Sequence, residues 1–505
     1  MESLFDPLAP EVITLVGSLL DLPSLRSIRL ASRPLKLKFT PCFLRYFDIQ
    51  NVDLTQQGFQ RLKDLSSSPD ISRSVHTLNL TCVHYHFPPS HEEILGGLEI
   101  SWKSTTNHPQ KNQDHHGMSL VEGEEKKTWM AEQQIQQAGL TGLSMYEQLT
   151  QALLALNNLQ VITLEAVVVC GPATRCGPEE TQYLVWRKLW AQAIQAFRVV
   201  MRAISDSEAN IQSLIIYQKT KKCSIPTNEV AAAIATTIRE DGETGNYRSI
   251  KKLAISVATT VVPCRVTKGL CADANFFELF DLTKGRMLNA DDPEVDANAD
   301  VKGVVDLLRL MPMLNSLEIH LYNTTSSTDI PEELPYQLFL SSLFQDRLFP
   351  HLERLTLRGL PTTAETMVHI FSTNNRLRYL GLQNVYLTSK SWDYVLDAAV
   401  KSCAALEKVQ LSNLWRPRGE SGGVTNLDYY QITSRKLDSS DPDMRQKRFS
   451  CGPDYYVWHT RDIDKGEIEE QGMIDFNASA YSGRGMASWD ADCWIRAWML
   501  ESGPP

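Results

Sequence analysis

One apolar pattern recurs along this chain and limits the available folds more than any other feature of the sequence. It has three apolar residues spaced as L-x-x-L-x-L. It occurs eight times, starting at Val75, Leu159, Ile211, Ile250, Leu314, Leu352, Leu377 and Leu406. In an extended strand the last two apolar residues of the pattern point to the same face. A short strand cannot bury that face alone, so we predict that the segments lie side by side and share one core.

The segments between these patterns have helical apolar spacing. Trp392, Val395 and Leu396 lie within 389–404, and the longer stretch 182–204 places Leu184, Trp190 and Ile194 on one face. Strands alternating with helices predict an α/β fold, with a concave parallel sheet and helices on its convex side. The fold predicted by this arrangement is a leucine-rich-repeat solenoid. Only the last two spacings between pattern starts fall within the regular range of about 20–29 residues, so the array is irregular. An irregular α/β layer that is not a horseshoe is the alternative.

In such a sheet the side chains between the buried positions line the concave face. They mix charged and aromatic types that are common at protein interfaces, with arginine and tyrosine among them. We therefore predict a surface for a protein substrate, although any one of these residues can equally be part of a merely solvated face. The predicted residues are Glu318, His320, Arg354, Thr356, Arg358, Tyr379, Gln383, Lys408 and Gln410.

The first 40 residues predict a small helical unit ahead of the repeats, which occupy 41–415. Pro10 suits the first position of a helix, and Asp21 can cap a second helix with Pro23 in its first turn. A third helix follows Pro34 and is expected to end at Thr40-Pro41, after which Phe43–Ile49 is predicted to be a strand. Helices this short are marginal alone, so their apolar sides need a partner or the next domain.

The run from Leu8 to Leu35 resembles an F-box, in the version common in fungal substrate receptors. The resemblance rests on Pro10-Glu11-Val12, Leu20-Asp21-Leu22, Leu25 and Arg29-Leu30-Ala31-Ser32-Arg33, in that order. The chain departs from the family at Ala9, where a proline is frequent, and it lacks the tryptophan found at the end of many animal F-boxes.

This resemblance implies a substrate-recognition subunit of a Skp/cullin/F-box ubiquitin ligase. The F-box would bind the Skp-type adaptor, and through it the cullin, while the repeats hold an unidentified protein substrate. The adaptor contacts that it implies are Leu8, Pro10, Glu11, Ile13, Leu20, Leu22, Leu25 and Arg29. The alternative is a leucine-rich scaffold without ligase attachment, in which the N-terminal helices only cap the array.

Three stretches are expected to differ from the repeats. Residues 100–130 are polar and predict a disordered insertion, and 416–450 predicts a flexible one. Residues 451–505 are rich in aromatic side chains and predict a cap over the open end of the array, with a substrate-gripping surface as the alternative.

Composition excludes several functions. The chain has 60 acidic and 50 basic side chains, and a net charge of -10 disfavours nucleic-acid binding. No apolar run is long enough for a membrane span and no signal peptide is evident, so we expect a cytoplasmic or nuclear protein with no membrane contact. We find no phosphate loop, nucleophile elbow or zinc motif. No catalytic residue, metal or cofactor is therefore expected, the alternative being an enzyme seated in the aromatic tail.

Overall fold

The chain folds into a mixed α/β structure around one open, mainly parallel β-sheet. The computed structural model describes residues 9–86, 120–172, 174–176, 183–207, 209–220, 223–237, 245–258, 297–322, 335–345, 349–387, 389–390, 392–417, 429–432 and 461–464.

The strands follow one another across the sheet in chain order. Within the described ranges they are β1 (Ile49–Asp53), β2 (Thr77–Tyr85), β3 (Val161–Gly171), β4 (Thr174–Cys176), β5 (Ser213–Ile216), β6 (Ile225–Pro226), β7 (Lys252–Ala258), β8 (Ser316–Tyr322), β9 (Arg354–Arg358), β10 (Pro361–Thr362), β11 (Tyr379–Leu387), β12 (Lys408–Pro417), β13 (Tyr429–Ile432) and β14 (Arg461–Asp464). Nine of them, β1, β2, β3, β5, β7, β8, β9, β11 and β12, are successive neighbours and pair in parallel.

Helices connect these parallel strands, because a parallel neighbour can be reached only by a crossover. The described α-helices are α1 (Pro10–Ser18), α2 (Leu22–Ala31), α3 (Arg33–Leu44), α4 (Gln56–Ser66), α5 (Pro69–Ser74), α6 (Leu120–Ala138), α7 (Gly142–Ala155), α8 (Tyr183–Asp206), α9 (Thr227–Thr237), α10 (Ala297–Arg309), α11 (Pro335–Phe344), α12 (Ala364–Thr373) and α13 (Trp392–Ser402). Short 3-10 helices span Arg45–Phe47 and Gly245–Ser249.

All eight L-x-x-L-x-L segments lead into parallel strands, as predicted. Every apolar position of the eight patterns is buried except Leu411, which is half-buried. These side chains pack with Phe197, Phe371 and Trp392 from the helices in one continuous core. The predicted inward orientation of the patterns is therefore confirmed.

A continuous backbone ladder joins the residues that precede these strands. From His76 onward, each of them donates its N–H to the carbonyl of the equivalent residue one strand earlier, over 2.8–2.9 Å. The ladder runs through Asp48, His76, Gln160, Gln212, Lys251, Asn315, Glu353, Arg378 and Glu407. The pattern therefore fixes the register of the sheet as well as its core.

Side-chain caps begin several helices. The hydroxyl of Thr55 accepts a hydrogen bond from the Gly58 N–H, and that of Thr363 accepts one from the Thr366 N–H, both over 3.1 Å. The Asp21 carboxylate accepts from the Ser24 N–H over 2.9 Å at the start of α2, as the sequence predicts. Each cap satisfies a donor that the first turn of a helix leaves unpaired.

The three N-terminal helices form a unit with its own core. Ile13, Leu25, Phe39 and Cys42 are buried against one another and lie apart from the main core. The unit meets the rest of the chain through α5, which contacts α3 and the 3-10 turn that follows it.

Two expectations about this region are wrong. The third helix does not end at Thr40-Pro41 but continues to Leu44, and Phe43–Ile49 is not a strand, because β1 begins only at Ile49. Pro41 is tolerated inside α3 because the carbonyl that it leaves without a donor belongs to the exposed Leu37, where water can reach it. β1 adds a ninth parallel strand, in which the buried Gln50 replaces an apolar residue of the pattern.

The prediction of disorder over 100–130 is wrong for its last part, because residues 120–130 lie in α6. Trp129 and Met130 of this helix pack against Val83 and Tyr85, on the side of the sheet away from the other helices. Gln137 and Gln134 donate to the carbonyls of Val83 and Tyr85 over 2.6 and 3.0 Å. These contacts stabilise α6 against the sheet, although much of its sequence is polar. Residues 100–119 lie outside the described residues.

The last parallel strand is not left with a bare edge. β13 and β14 pair antiparallel with the two ends of β12. β13 comes from the predicted flexible stretch 416–450 and β14 from the aromatic stretch 451–505. The other residues of both stretches lie outside the described residues, apart from the last two of β12.

Gly359 provides a test of the turn that follows β9. Its φ is +69°, and an added Cβ would lie 2.4 Å from the Leu321 carbonyl oxygen. We expect Gly359→Ala to lower the free energy of unfolding by about 1–3 kcal/mol, because alanine is strained in this conformation and would clash with backbone. Gly139→Ala is the control, since its added Cβ comes no closer than 3.5 Å to any atom. Urea denaturation of both variants measures the difference, and equal stability of the two would contradict the strain.

Candidate protein-binding surfaces

One face of the sheet is formed by the side chains that alternate with the buried positions of β7, β8, β9, β11 and β12. We call it the open face. Strand register arranges its residues in three rows. The first row is Lys252, Ser316, Arg354, Tyr379 and Lys408; the second is Ala254, Glu318, Thr356, Gly381 and Gln410; the third is Ser256, His320, Arg358 and Gln383.

All nine residues predicted for the substrate surface lie in these three rows. The structure therefore brings them together, although it does not leave all of them accessible. Arg354 is exposed and His320 is buried, while the other seven are half-buried.

Glu318 lies at the centre of a hydrogen-bonded group in the second and third rows. Its carboxylate accepts from the Gln218 side-chain amide over 2.6 Å and from Arg358 Nη1 over 3.3 Å. The side chains of Glu318 and Arg358 are 18% and 26% exposed, so the pair is only partly screened by water. Gln218, which follows β5, was not predicted, because the pattern around it carries no interface signal.

His320 is held in the sheet by a hydrogen bond of 3.1 Å between its Nδ1 and Ser256 Oγ. Burial, with a further contribution from nearby Arg358, lowers the pKa of His320 to about 3. Ser256 is itself fully buried, so this serine and histidine do not form an accessible nucleophile and base. We assign His320 to the packing of the open face rather than to its contact surface.

Arg354 and Tyr379 form a second group in the first row. The Arg354 guanidinium carbon lies 4.2 Å from the centroid of the Tyr379 ring, and the Tyr379 hydroxyl donates to Gln410 Oε1. A guanidinium on an aromatic face is attracted by the ring quadrupole. Three neighbouring strands thus hold an exposed cation in one orientation.

The N-terminal helices carry a second candidate surface. Val12 and Leu15 on α1, and Leu19 directly after its last residue, lie at i, i+3 and i+7 and are 42%, 63% and 81% exposed. Leu30 on α2 and Leu37 on α3 are exposed as well. A contiguous apolar stripe exposed on a short helix is typical of a surface that a partner covers.

The residues that the F-box resemblance implies for adaptor contact are only partly on this surface. Pro10 and Glu11 are exposed, and Leu20 and Leu22 are half-buried. Ile13 and Leu25 instead lie inside the helical unit, where they support its fold and offer no surface to a partner.

Arg29, another of these residues, places its guanidinium carbon 3.7 Å from the centroid of the Phe43 ring, inside the unit's own packing. Leu8 lies outside the described residues. Leu15 and Leu19 were not predicted, although the signal was present in the sequence. Val12, Leu15 and Leu19 repeat with helical spacing on the side opposite Ile13, and one short helix cannot bury both stripes in the same core.

The described ranges also bear on metal binding and on membrane crossing. No group of three or more His, Cys, Asp or Glu side chains there is placed to hold a metal ion. His84 and His86 have stacked rings 6.4 Å apart, and His84 is bound to the Gln192 side chain. None of the helices in these ranges combines the length and the apolar character that crossing a membrane requires.

No protein-family model matches this sequence, and comparison with curated proteins gives no significant match. The two surfaces are therefore the grounds for a functional proposal.

The buried His320 predicts a pH dependence of stability. Between pH 6.5 and about 3 the unfolded chain binds a proton at this histidine that the folded protein does not bind, so stability falls as the pH falls. We expect His320→Asn to reduce the stability lost between pH 6.5 and 5 by about 1.6 kcal/mol, because the slope rises from half of its limiting value of about 1.4 kcal/mol per pH unit as the pH falls below 6.5. Asparagine can keep the hydrogen bond to Ser256.

Urea denaturation at both pH values measures this loss. Part of the pH dependence of stability remains in His320→Asn, because burial also lowers the pKa of His84, to about 4. His369→Asn, which removes an exposed histidine of α12, is the control. A loss of stability identical in wild type and His320→Asn would contradict the assignment.

Proposed function

We propose that this protein is the substrate-recognition subunit of a Skp/cullin/F-box ubiquitin ligase. The N-terminal helical unit would act as the F-box and bind the adaptor, and the sheet would hold a protein substrate. The observation that carries the proposal is the exposed apolar stripe Val12, Leu15 and Leu19 on a helical unit that has its own core.

The separate core of the unit supports a docking role. Ile13, Leu25, Phe39 and Cys42 bury one another, so the unit does not use its exposed leucines to attach to the sheet. Helices that only capped the end of an array would bury their apolar stripe against the first repeat. Here that contact passes through α5 and the 3-10 turn, and the leucine stripe stays outside it.

The sheet supports the second half of the proposal. Nine parallel strands, eight of which carry the same apolar pattern, are joined by helices and by one backbone ladder, which is the arrangement that leucine-rich repeats predict. The open face carries polar, charged and aromatic side chains in rows, and such a surface suits a protein ligand.

In this proposal the chain performs no chemistry itself. It holds the substrate close to the ubiquitin-loaded enzyme that the cullin recruits, which raises the effective concentration of the two reacting partners. The reaction would therefore depend on two binding surfaces being intact at once, and each can be removed separately.

The adaptor surface is tested by changing its leucines to charged residues. We expect Leu15→Asp with Leu19→Asp to weaken capture of a Skp-type adaptor at least about 100-fold, because each buried leucine contributes roughly 1.5–3 kcal/mol. Leu154→Asp changes an exposed leucine on α7 and should leave capture unchanged. Affinity purification of the full chain with the adaptor, at equal expression, measures the effect.

Two results would count against the proposal. Wild-type protein that never captures the adaptor would favour the alternative of a scaffold without ligase attachment. Equal capture by the wild type and the double variant would move the adaptor contact away from α1. Circular dichroism of the variants separates lost binding from lost folding, since the changed residues lie outside the core.

A further inference from the structure

The first row of the open face concentrates positive charge in a chain that is acidic as a whole. Lys252, Arg354 and Lys408 occupy every second strand along this row, with Ser316 and Tyr379 between them. The net charge of the whole chain is -10. At physiological salt, charges more than about 8 Å from a bound ligand are screened. A ligand in contact with this row is therefore affected by the row's positive charge more than by the negative charge of the whole chain.

Two cations of this row, Lys252 and Arg354, are not neutralised within the described part of the chain. Arg354 contacts the Tyr379 ring but lies in no ion pair there, and Lys252 lies in none either. Two carboxylates of the neighbouring strands have partners of their own. Glu318 is bound by Gln218 and Arg358, and Glu407 by Arg378. Arg354 and Lys252 thus remain available to an acid from outside.

Lys408 marks the end of this row. It lies opposite Asp464 in the antiparallel pair of β12 with β14, so we leave it out of the proposed contact. At the other end of the sheet, α6 packs on the ends of β2 and β3 and limits access there. The accessible cations are therefore Lys252 and Arg354.

Arg354 is oriented before any ligand binds. The Tyr379 ring supports its guanidinium, and Gln410 holds the Tyr379 hydroxyl. A planar guanidinium that is already held loses less entropy on binding a carboxylate than a free side chain does. Among the accessible cations, Arg354 should therefore contribute most to affinity and Lys252 should contribute less.

We propose that this row binds an acidic peptide segment of the substrate, with Arg354 and Lys252 as its main contacts. The inference rests on the proposed role of the open face in substrate binding and names the chemistry of that substrate. Lys252 and Arg354 are separated by two strand spacings, or about 10 Å. Acidic side chains at i and i+3 of a polyproline-II segment lie on one side about 9 Å apart and match this spacing.

The test uses the full chain and a fluorescein-labelled peptide with four Glu-Pro-Pro repeats, followed by fluorescence anisotropy. We expect saturable binding that weakens when salt is raised. Arg354→Gln should weaken it about tenfold, the effect of losing one charge-assisted hydrogen bond, and Lys252→Gln by a few-fold. Lys63→Gln removes an exposed cation of α4 and should leave binding unchanged.

Tyr379→Phe provides a second, milder variant. It keeps the ring under Arg354 and removes only the hydroxyl bonded to Gln410, so binding should weaken less than in Arg354→Gln. The matching Gln-Pro-Pro peptide should not bind detectably. Equal binding of the Gln-Pro-Pro peptide, or an Arg354→Gln affinity equal to that of wild type, would overturn the proposal. So would tighter binding of a single-stranded oligonucleotide than of the acidic peptide.

Adaptor capture measured on the same preparations separates this inference from the proposed ligase function. A protein that captures the adaptor but not the acidic peptide would overturn only the substrate chemistry. A protein that binds the peptide through Arg354 but never captures the adaptor would support acidic-peptide binding by this row and contradict the proposed role in a ubiquitin ligase.

Discussion

The backbone ladder that runs from Asp48 to Glu407 is the constraint on which the rest of the sheet depends. A parallel strand must find partners for its N–H and C=O groups on both sides, and each buried group left unpaired costs about 1–3 kcal/mol. The buried apolar pattern holds each strand against the helices, and the ladder holds it against its neighbours. β13 and β14 supply these partners along the outer edge of β12, where the parallel series stops.

The same ladder determines what the open face can offer a ligand. Because the strands pair in register, side chains at equivalent positions form rows across the sheet, and neighbours within a row are about 4.8 Å apart. Function then depends on which residues fill one row, and distant parts of the sequence meet without a shared motif. Gln218, Glu318 and Arg358 follow or belong to three different strands, yet they make one hydrogen-bonded group. Arg354, Tyr379 and Gln410 make another.

The sequence was most informative where a position is buried. The apolar patterns predicted eight strands and their inward faces, because burial leaves few residue types to choose from. β1 was missed because Gln50 occupies an apolar position, and α6 because its polar sequence hides two contact residues, Trp129 and Met130. The alternation of side chains along each strand was enough to predict that the nine open-face residues share one face of the sheet. Sequence could not show that His320 is buried there, because that depends on neighbours in other strands.

The two surfaces carry features that the fold itself does not need. Leu15 and Leu19 are exposed although the helical unit already has a complete core, and exposed apolar area of this kind favours aggregation. Arg354 is held in place without a carboxylate partner in the described part of the chain, although nearby carboxylates have partners. Exposed apolar residues and unpaired charges that do not stabilise the fold are concentrated at functional sites in proteins. Both would be relieved by binding, one by burying leucine and the other by pairing a charge. An apolar partner for the helices and an acidic one for the sheet therefore follow from the same argument.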